Sequence, residues 1–189
     1  MLTKLYDKVL AWSRHKHAEF YLGAMSFAES SFFPIPPDVM LAPMSLAQPK
    51  RAWYFAALTT VTSTIGGMLG YLIGWLAFTS IEPSLIGWGY GPTLAAIKQQ
   101  FVDNGVIFVF VAGFTPFPYK LITITAGAMS MSFLPFVLAS MVGRGGRFFL
   151  VAGAMKFGGK PMEDAIRKYI NILSLVLILA LVALYLIYR

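Results

Sequence analysis

The chain contains no cysteine. That excludes disulfides, thiolate metal sites and cysteine nucleophiles. It is also poor in charge: 12% of its 189 residues are Asp, Glu, Lys or Arg. An average soluble domain carries about 25%. A soluble fold of this size needs polar residues to cover its surface, and here they are too few. Histidine is limited to two residues, His15 and His17. Both lie near the terminus and read as solvated, with no metal role. No apolar span contains one. This removes HExxH metalloproteases, Ser-His dyads and His-dependent lipid phosphatases. No paired-aspartate motif with metal-binding spacing occurs either. No enzymatic role, catalytic residue, metal or cofactor is therefore expected.

What the chain has instead is apolar sequence. Hydrophobic residues make up 58%, aromatics 15%, and the mean hydropathy is +0.70. These values indicate an integral membrane protein, and the helical segments read along the chain make its expected class all-α. The net charge of +7 belongs to loops, which favours a role in membrane orientation over nucleic-acid binding.

Residues 1–19 read as an interfacial amphipathic helix, with Leu2, Leu5, Tyr6, Val9 and Trp12 at helical spacing. They contain no h-region, so a signal peptide is not expected. Residues 20–47 hold two short apolar arms around Pro34-Ile35-Pro36-Pro37. Neither arm has the roughly 20 residues that a bilayer core of ~30 Å requires. The stretch reads as a re-entrant hairpin, with Pro34 and Pro36 as its breakers. Residues 52–78 are uncharged and form a transmembrane helix carrying a glycine face at 66, 67, 70 and 74. A connector is expected over 79–104, with one short amphipathic helix at 93–102. A second re-entrant hairpin covers 105–129, broken at Pro116 and Pro118. Transmembrane helices are expected at 131–155 and 170–188.

The two hairpins repeat one pattern. Pro34-Ile35-Pro36-Pro37-Asp38-Val39 recurs as Pro116-Phe117-Pro118-Tyr119-Lys120-Leu121. Downstream, Gly66-Gly67 with Gly74 recurs as Gly145-Gly146 with Gly153. Each half is a broken hairpin followed by a long helix. With the N-terminus cytoplasmic, ten basic residues fall inside: Lys4, Lys8, Arg14, Lys16, Lys50, Arg51, Lys156, Lys160, Arg167 and Lys168. Only Lys98 and Arg189 fall outside. This satisfies the positive-inside rule. The hairpins then enter from opposite sides, so the repeat is inverted, as in many transporters.

Five charges remain among the apolar segments: Glu29, Asp38, Lys120, Arg144 and Arg147. Each costs at least ~2.5–3.5 kcal/mol at the bilayer centre. The acids lie in the first half and the bases in the second. Arg144 and Arg147 share a helix face and suit a phosphate; Lys120 is a third candidate for the headgroup. Arginine does not titrate in proteins, so proton coupling falls to Glu29 or Asp38. Each also has a purely structural explanation. Asp38 is placed to cap a helix, and Glu29 to neutralise Arg144. Arg147 and Lys120 are long enough to snorkel.

Three stretches carry a resemblance. They are Phe27-Ala28-Glu29-Ser30-Ser31-Phe32-Phe33-Pro34-Ile35-Pro36-Pro37-Asp38, then Gly113-Phe114-Thr115-Pro116-Phe117-Pro118-Tyr119-Lys120 through Ala126-Gly127, then Gly143-Arg144-Gly145-Gly146-Arg147-Phe148-Phe149. Together they resemble the DedA family, also called SNARE-associated or VTT-domain proteins, and most closely its short YqaA-like branch. The resemblance spans roughly 20–156. It implies a bacterial-type cytoplasmic (inner) membrane location and translocation of lipids, with polyprenyl phosphates or phospholipids as substrates and a dependence on the proton gradient. The family's acidic pair maps to Glu29 and Asp38, its basic pair loosely to Arg144 and Arg147. Many members have an Arg just before the second-hairpin Phe and another three after the Pro. Here those places hold Gly113 and Tyr119, and Lys120 is the nearest base. The expected function is a flippase or scramblase-like lipid transporter. Its partners are membrane lipids with anionic headgroups, and the chain is compatible with an oligomer. The alternative is a non-transporting scaffold for membrane assembly.

Overall fold

A computed structural model describes residues 17–31, 36–115 and 118–187, the side chains of 160 and 162–187 excepted. Among them every regular element is a helix: α1 Ala18–Ser31, α2 Asp38–Ala47, α3 Ala52–Gly87, α4 Gly91–Phe114, α5 Tyr119–Ala128 and α6 Phe133–Ile187, with one 3-10 turn at Pro49–Arg51. The amphipathic helix expected before residue 17 lies outside the described residues, as do Pro34 and Pro116.

The helix registers show the inverted repeat directly. The Ser26 hydroxyl of α1 donates to the Thr59 carbonyl of α3, Ser30 bonds Ser63, and Ser31 donates to the Gly66 carbonyl. Both partners climb together, so α1 and α3 are parallel. By the same test α4 is parallel to α6: Gly143 faces the Phe110 carbonyl, and Arg147 donates to the Thr115 carbonyl. The returning arms cross over. Asp38 of α2 meets Arg147 of α6, and Thr123 of α5 meets Gly70 of α3. Each long helix is thus flanked by one arm from its own half and one from the other. The long helices themselves run antiparallel: Trp53 stacks on Phe149, while Tyr71 sits against Phe136.

The first-half arms α1 and α2 are short. They contain 14 and 10 residues, about 21 and 15 Å of helix, too short to cross ~30 Å. Among the described residues three helices are long and apolar enough to cross a membrane: Pro49–Gly87, Gly91–Phe114 and Phe133–Gly159. Two of them depart from expectation. Helix α3 continues nine residues past 78, with Pro83 inside it. The segment expected as a connector is otherwise one helix with the first arm of the second hairpin, opened by Pro92 in its first turn. The glycines and prolines of this stretch break the chain only between Gly87 and Gly91, where Gly89 takes a positive φ of 91°. The α3–α4 turn is tied by a Lys98–Glu82 ion pair of 2.6 Å. Although α4 has 24 residues, its last turn lies against Arg144 and Gly146, half-way along the Phe133–Gly159 span of α6. It ends inside the bundle, as a hairpin arm should.

Helix α6 is interrupted at Gly159 (φ 60°, ψ −151°), with Pro161 following. The backbone is helical beyond it to Ile187. The span expected at 170–188 falls where side chains are not described.

Among the described residues two apolar cores result. One gathers Leu22, Met40, Leu41, Met44, Phe55, Phe148 and Ala152 at the Trp53 end. The other gathers Tyr71, Phe101, Val109, Ala126, Met129 and Phe136 at the opposite end. Polar side chains occupy the layer between them.

Candidate functional site

The polar layer is centred on Arg144, which is 2% exposed. Its Nη2 donates to Glu29 Oε2 at 2.5 Å and to Ser30 Oγ at 3.3 Å. Its Nε donates to Ser63 Oγ at 2.6 Å. Ser30 and Ser63 bond each other at 2.7 Å, and Ser30 donates to Glu29 at 3.2 Å. The rings of Tyr119 and Phe148 lie 4.9 and 4.6 Å from the guanidinium carbon. Helices α1, α3, α5 and α6 therefore all contribute to one charge.

One turn further along α6 is a second pair. Arg147 Nη2 donates to Asp38 Oδ2 at 2.5 Å, and Nη1 to the Thr115 carbonyl at 2.6 Å. Asp38 is 5% exposed, while the Arg147 side chain keeps 19% of its surface open. Asp38 Oδ1 is buried without a hydrogen-bond partner among the described residues.

The depth of the site follows from helix rise. Trp53 and Trp75 bracket the apolar stretch of α3, about 33 Å apart. Ser63 is about 15 Å from the first. The pairs thus sit midway between the aromatic ends, where an unneutralised charge is most costly.

Four of the five candidates meet in two acid–base pairs, each joining a first-half acid to a second-half base. Glu29 is the counter-ion of Arg144. Asp38 does not cap: α2 begins at Asp38 with Pro37 as N-cap and no side-chain cap bond. The carboxylate is drawn to Arg147 because the second half supplies a buried cation there. Arg147 does not snorkel, since Thr115 and Asp38 hold both of its terminal nitrogens. Lys120 is half-buried at the start of α5, next to Tyr119, and makes no ion pair among the described residues. Pro36 and Pro118 lie just before α2 and α5, and their carbonyls accept from Val39 and Leu121. Among the described residues no three metal-ligating side chains gather.

The sequence pattern missed Ser30, Ser63 and Tyr119. Ser26 and Ser30 are one turn apart, as are Thr59 and Ser63. That pair of matching stripes of small polar residues was a usable signal for helix contact. Tyr119 had none, since an aromatic beside proline reads as an interface anchor.

Fold and site together define an integral membrane protein built as an inverted repeat of broken hairpins around buried ion pairs. A family model for the VTT domain matches residues 35–157. The chain belongs to this family, the DedA family. It is 47% identical over 180 residues to an uncharacterized protein of Haemophilus influenzae, covering 95% of this chain and 94% of that one. An uncharacterized protein of Histophilus somni is 42% identical over 185 residues, covering 98% and 97%. No solved structure matches the chain significantly.

Proposed function

We propose that this protein carries a phosphate-bearing lipid, a polyprenyl phosphate or a phospholipid, between the leaflets of a bacterial inner membrane. The observation that supports this most is the pair of acid–base contacts at mid-depth, where both hairpins break. Ion pairs joining the two halves are positioned to hold a closed state. An anionic headgroup offers each arginine a competing partner, and guanidinium accepts phosphate oxygens bidentately. Arg147, partly open, makes the first contact. Arg144 follows once it leaves Glu29, and Lys120 stands at the tip of the second hairpin. Glu29 and Asp38, released, are free to take up protons, which would couple the cycle to the proton gradient. The acyl or prenyl tail stays in lipid, so no full-length channel is needed. No chemical turnover of the lipid is expected.

The test is reconstitution into liposomes with a fluorescent lipid and an imposed proton gradient. Protein-containing vesicles should move the lipid faster than empty ones, and R147A should lower the rate about tenfold while remaining folded. Equal rates with and without protein across several headgroups would reject transport. Release of an altered lipid from labelled polyprenyl phosphate would point to an enzyme. Full complementation by R147A in a deletion strain would favour a scaffold.

Orientation has its own test, helped by the absence of cysteine. The basic bias places Lys50 in the cytoplasm and Gly87 outside. In intact cells a membrane-impermeant maleimide should label G87C and spare K50C. The reverse pattern would invert the topology.

A further inference from the structure

We propose that Tyr119 is a positioning residue that walls Arg144 in, so that the second hairpin must move before Arg144 can exchange Glu29 for another anion. The proposal rests on the reading of Arg144 as a headgroup ligand.

Tyr119 is the first residue of α5, directly after the break, and is fully buried. A buried tyrosine hydroxyl needs a partner. It finds Ser140 Oγ on α6, one turn before Arg144. The tyrosine therefore spans two successive turns of α6, hydroxyl on the first and ring over the guanidinium of the second. On the α3 side it faces Gly67, where a Cβ would stand in ordinary contact, 3.4 Å from the Tyr119 ring and 3.7 Å from its hydroxyl.

The other contacts of Arg144 explain why Tyr119 matters. Glu29, Ser30 and Ser63 take N–H donors of its Nε and Nη2, and Nη1 has no hydrogen-bond partner among the described residues. Phe148 is on the same helix, four residues on, and travels with it. Among the described residues, Tyr119 is what the second hairpin places against the guanidinium. A cation held by a ring in an apolar site is favoured electrostatically, and the tie to Ser140 stops the ring from turning away. A displacement of α5 removes both together. An incoming anion then has room beside the guanidinium to compete with Glu29 for its N–H donors.

The same geometry would serve a tyrosine that merely fills space, so the test reads Arg144 itself. The full-length protein in liposomes is treated with phenylglyoxal, and modification of Arg144 and Arg147 is followed by peptide mass spectrometry. Wild type should protect Arg144 and modify Arg147 faster. Y119L should raise the Arg144 rate roughly tenfold, with Arg147 changed little. Y119F and S140A, which keep the ring and lose the tie, should fall between. Y119M, flexible and of similar length, is the second ring-less variant if Y119L does not fold. Unchanged protection of Arg144 in a folded ring-less variant overturns the proposal. So does a uniform rise at every arginine, or a failure of both ring-less variants to fold, since either marks a space-filling role. Labelling needs no transport. Inactive liposomes with the expected labelling would defeat the transport reading alone, and active liposomes with flat labelling would defeat this one.

Discussion

Replacing Glu29 by alanine should lower the stability of the folded protein by about 3–5 kcal/mol, and removing Arg144 as well should restore most of that. The reason is the depth of the pair. Arg144 is 2% exposed and its guanidinium does not give up its proton. Without Glu29 it becomes a lone cation midway between the aromatic ends of the bundle. Ser30 and Ser63 can accept its hydrogen bonds but cannot neutralise it. The partners are not equivalent. In R144A the orphaned Glu29 can take up a proton and become neutral, so R144A should cost less than E29A. The double variant E29A/R144A removes both charges together, so its loss should fall well short of the two single losses added. Denaturant or thermal unfolding in detergent gives the four corners of the cycle. A coupling energy of several kcal/mol is expected. If the double variant is as unstable as the sum of the two single ones, the pair is not what holds α1 to α6. For Asp38–Arg147 the same cycle should give a smaller value, because Arg147 is partly open.

The second large effect concerns the contact between α3 and α5. A methyl at Gly74 would overlap the Ile124 carbonyl oxygen and lie 2.7 Å from its carbon. A methyl at Gly127 would meet the Tyr71 carbonyl in the same way. Neither obstacle is the end of a flexible side chain; both are backbone. The two helices must separate by about 1 Å, losing dispersion along their whole length. G74A and G127A should each cost about 3 kcal/mol, at the upper end of overpacking effects. Once the helices have parted, both methyls fit, so G74A/G127A should cost little more than either alone. G87A meets nothing within 4 Å and should change stability by no more than ~0.5 kcal/mol. Melting of the purified variants checks all four. A folded G74A with wild-type stability would mean that the glycine face is not a close-packing surface.

Much of this architecture was readable beforehand. The short arms at 20–47 and the repeat of proline and glycine motifs led to two opposed hairpins because a bilayer sets a minimum length for any crossing. The stretch 79–104 was misread for a definite reason. Pro83, Gly87, Gly89, Gly91 and Pro92 within ten residues resemble a loop, yet α3 carries Pro83 and α4 starts on Pro92. A proline inside an apolar helix removes one hydrogen bond but need not end it when neighbours or side chains satisfy the freed carbonyl. Local composition cannot say where such help is at hand.

Membrane residence, helical class and inverted order were decided by the amino-acid sequence alone, because solvation depends on summed composition and crossing on segment length. The same scarcity of charge singled out Glu29, Asp38, Lys120, Arg144 and Arg147. Only the tertiary structure decided which acid meets which base. Glu29 and Arg144 are 115 residues apart; the sequence offered their pairing as one explanation of Glu29, but offered Asp38 a helix cap and no arginine. The choice depends on register, set where α1 and α5 slot against the glycines of α3. That packing brings Ser63, Ser30 and Tyr119 around Arg144 and leaves Arg147, one turn away, partly open.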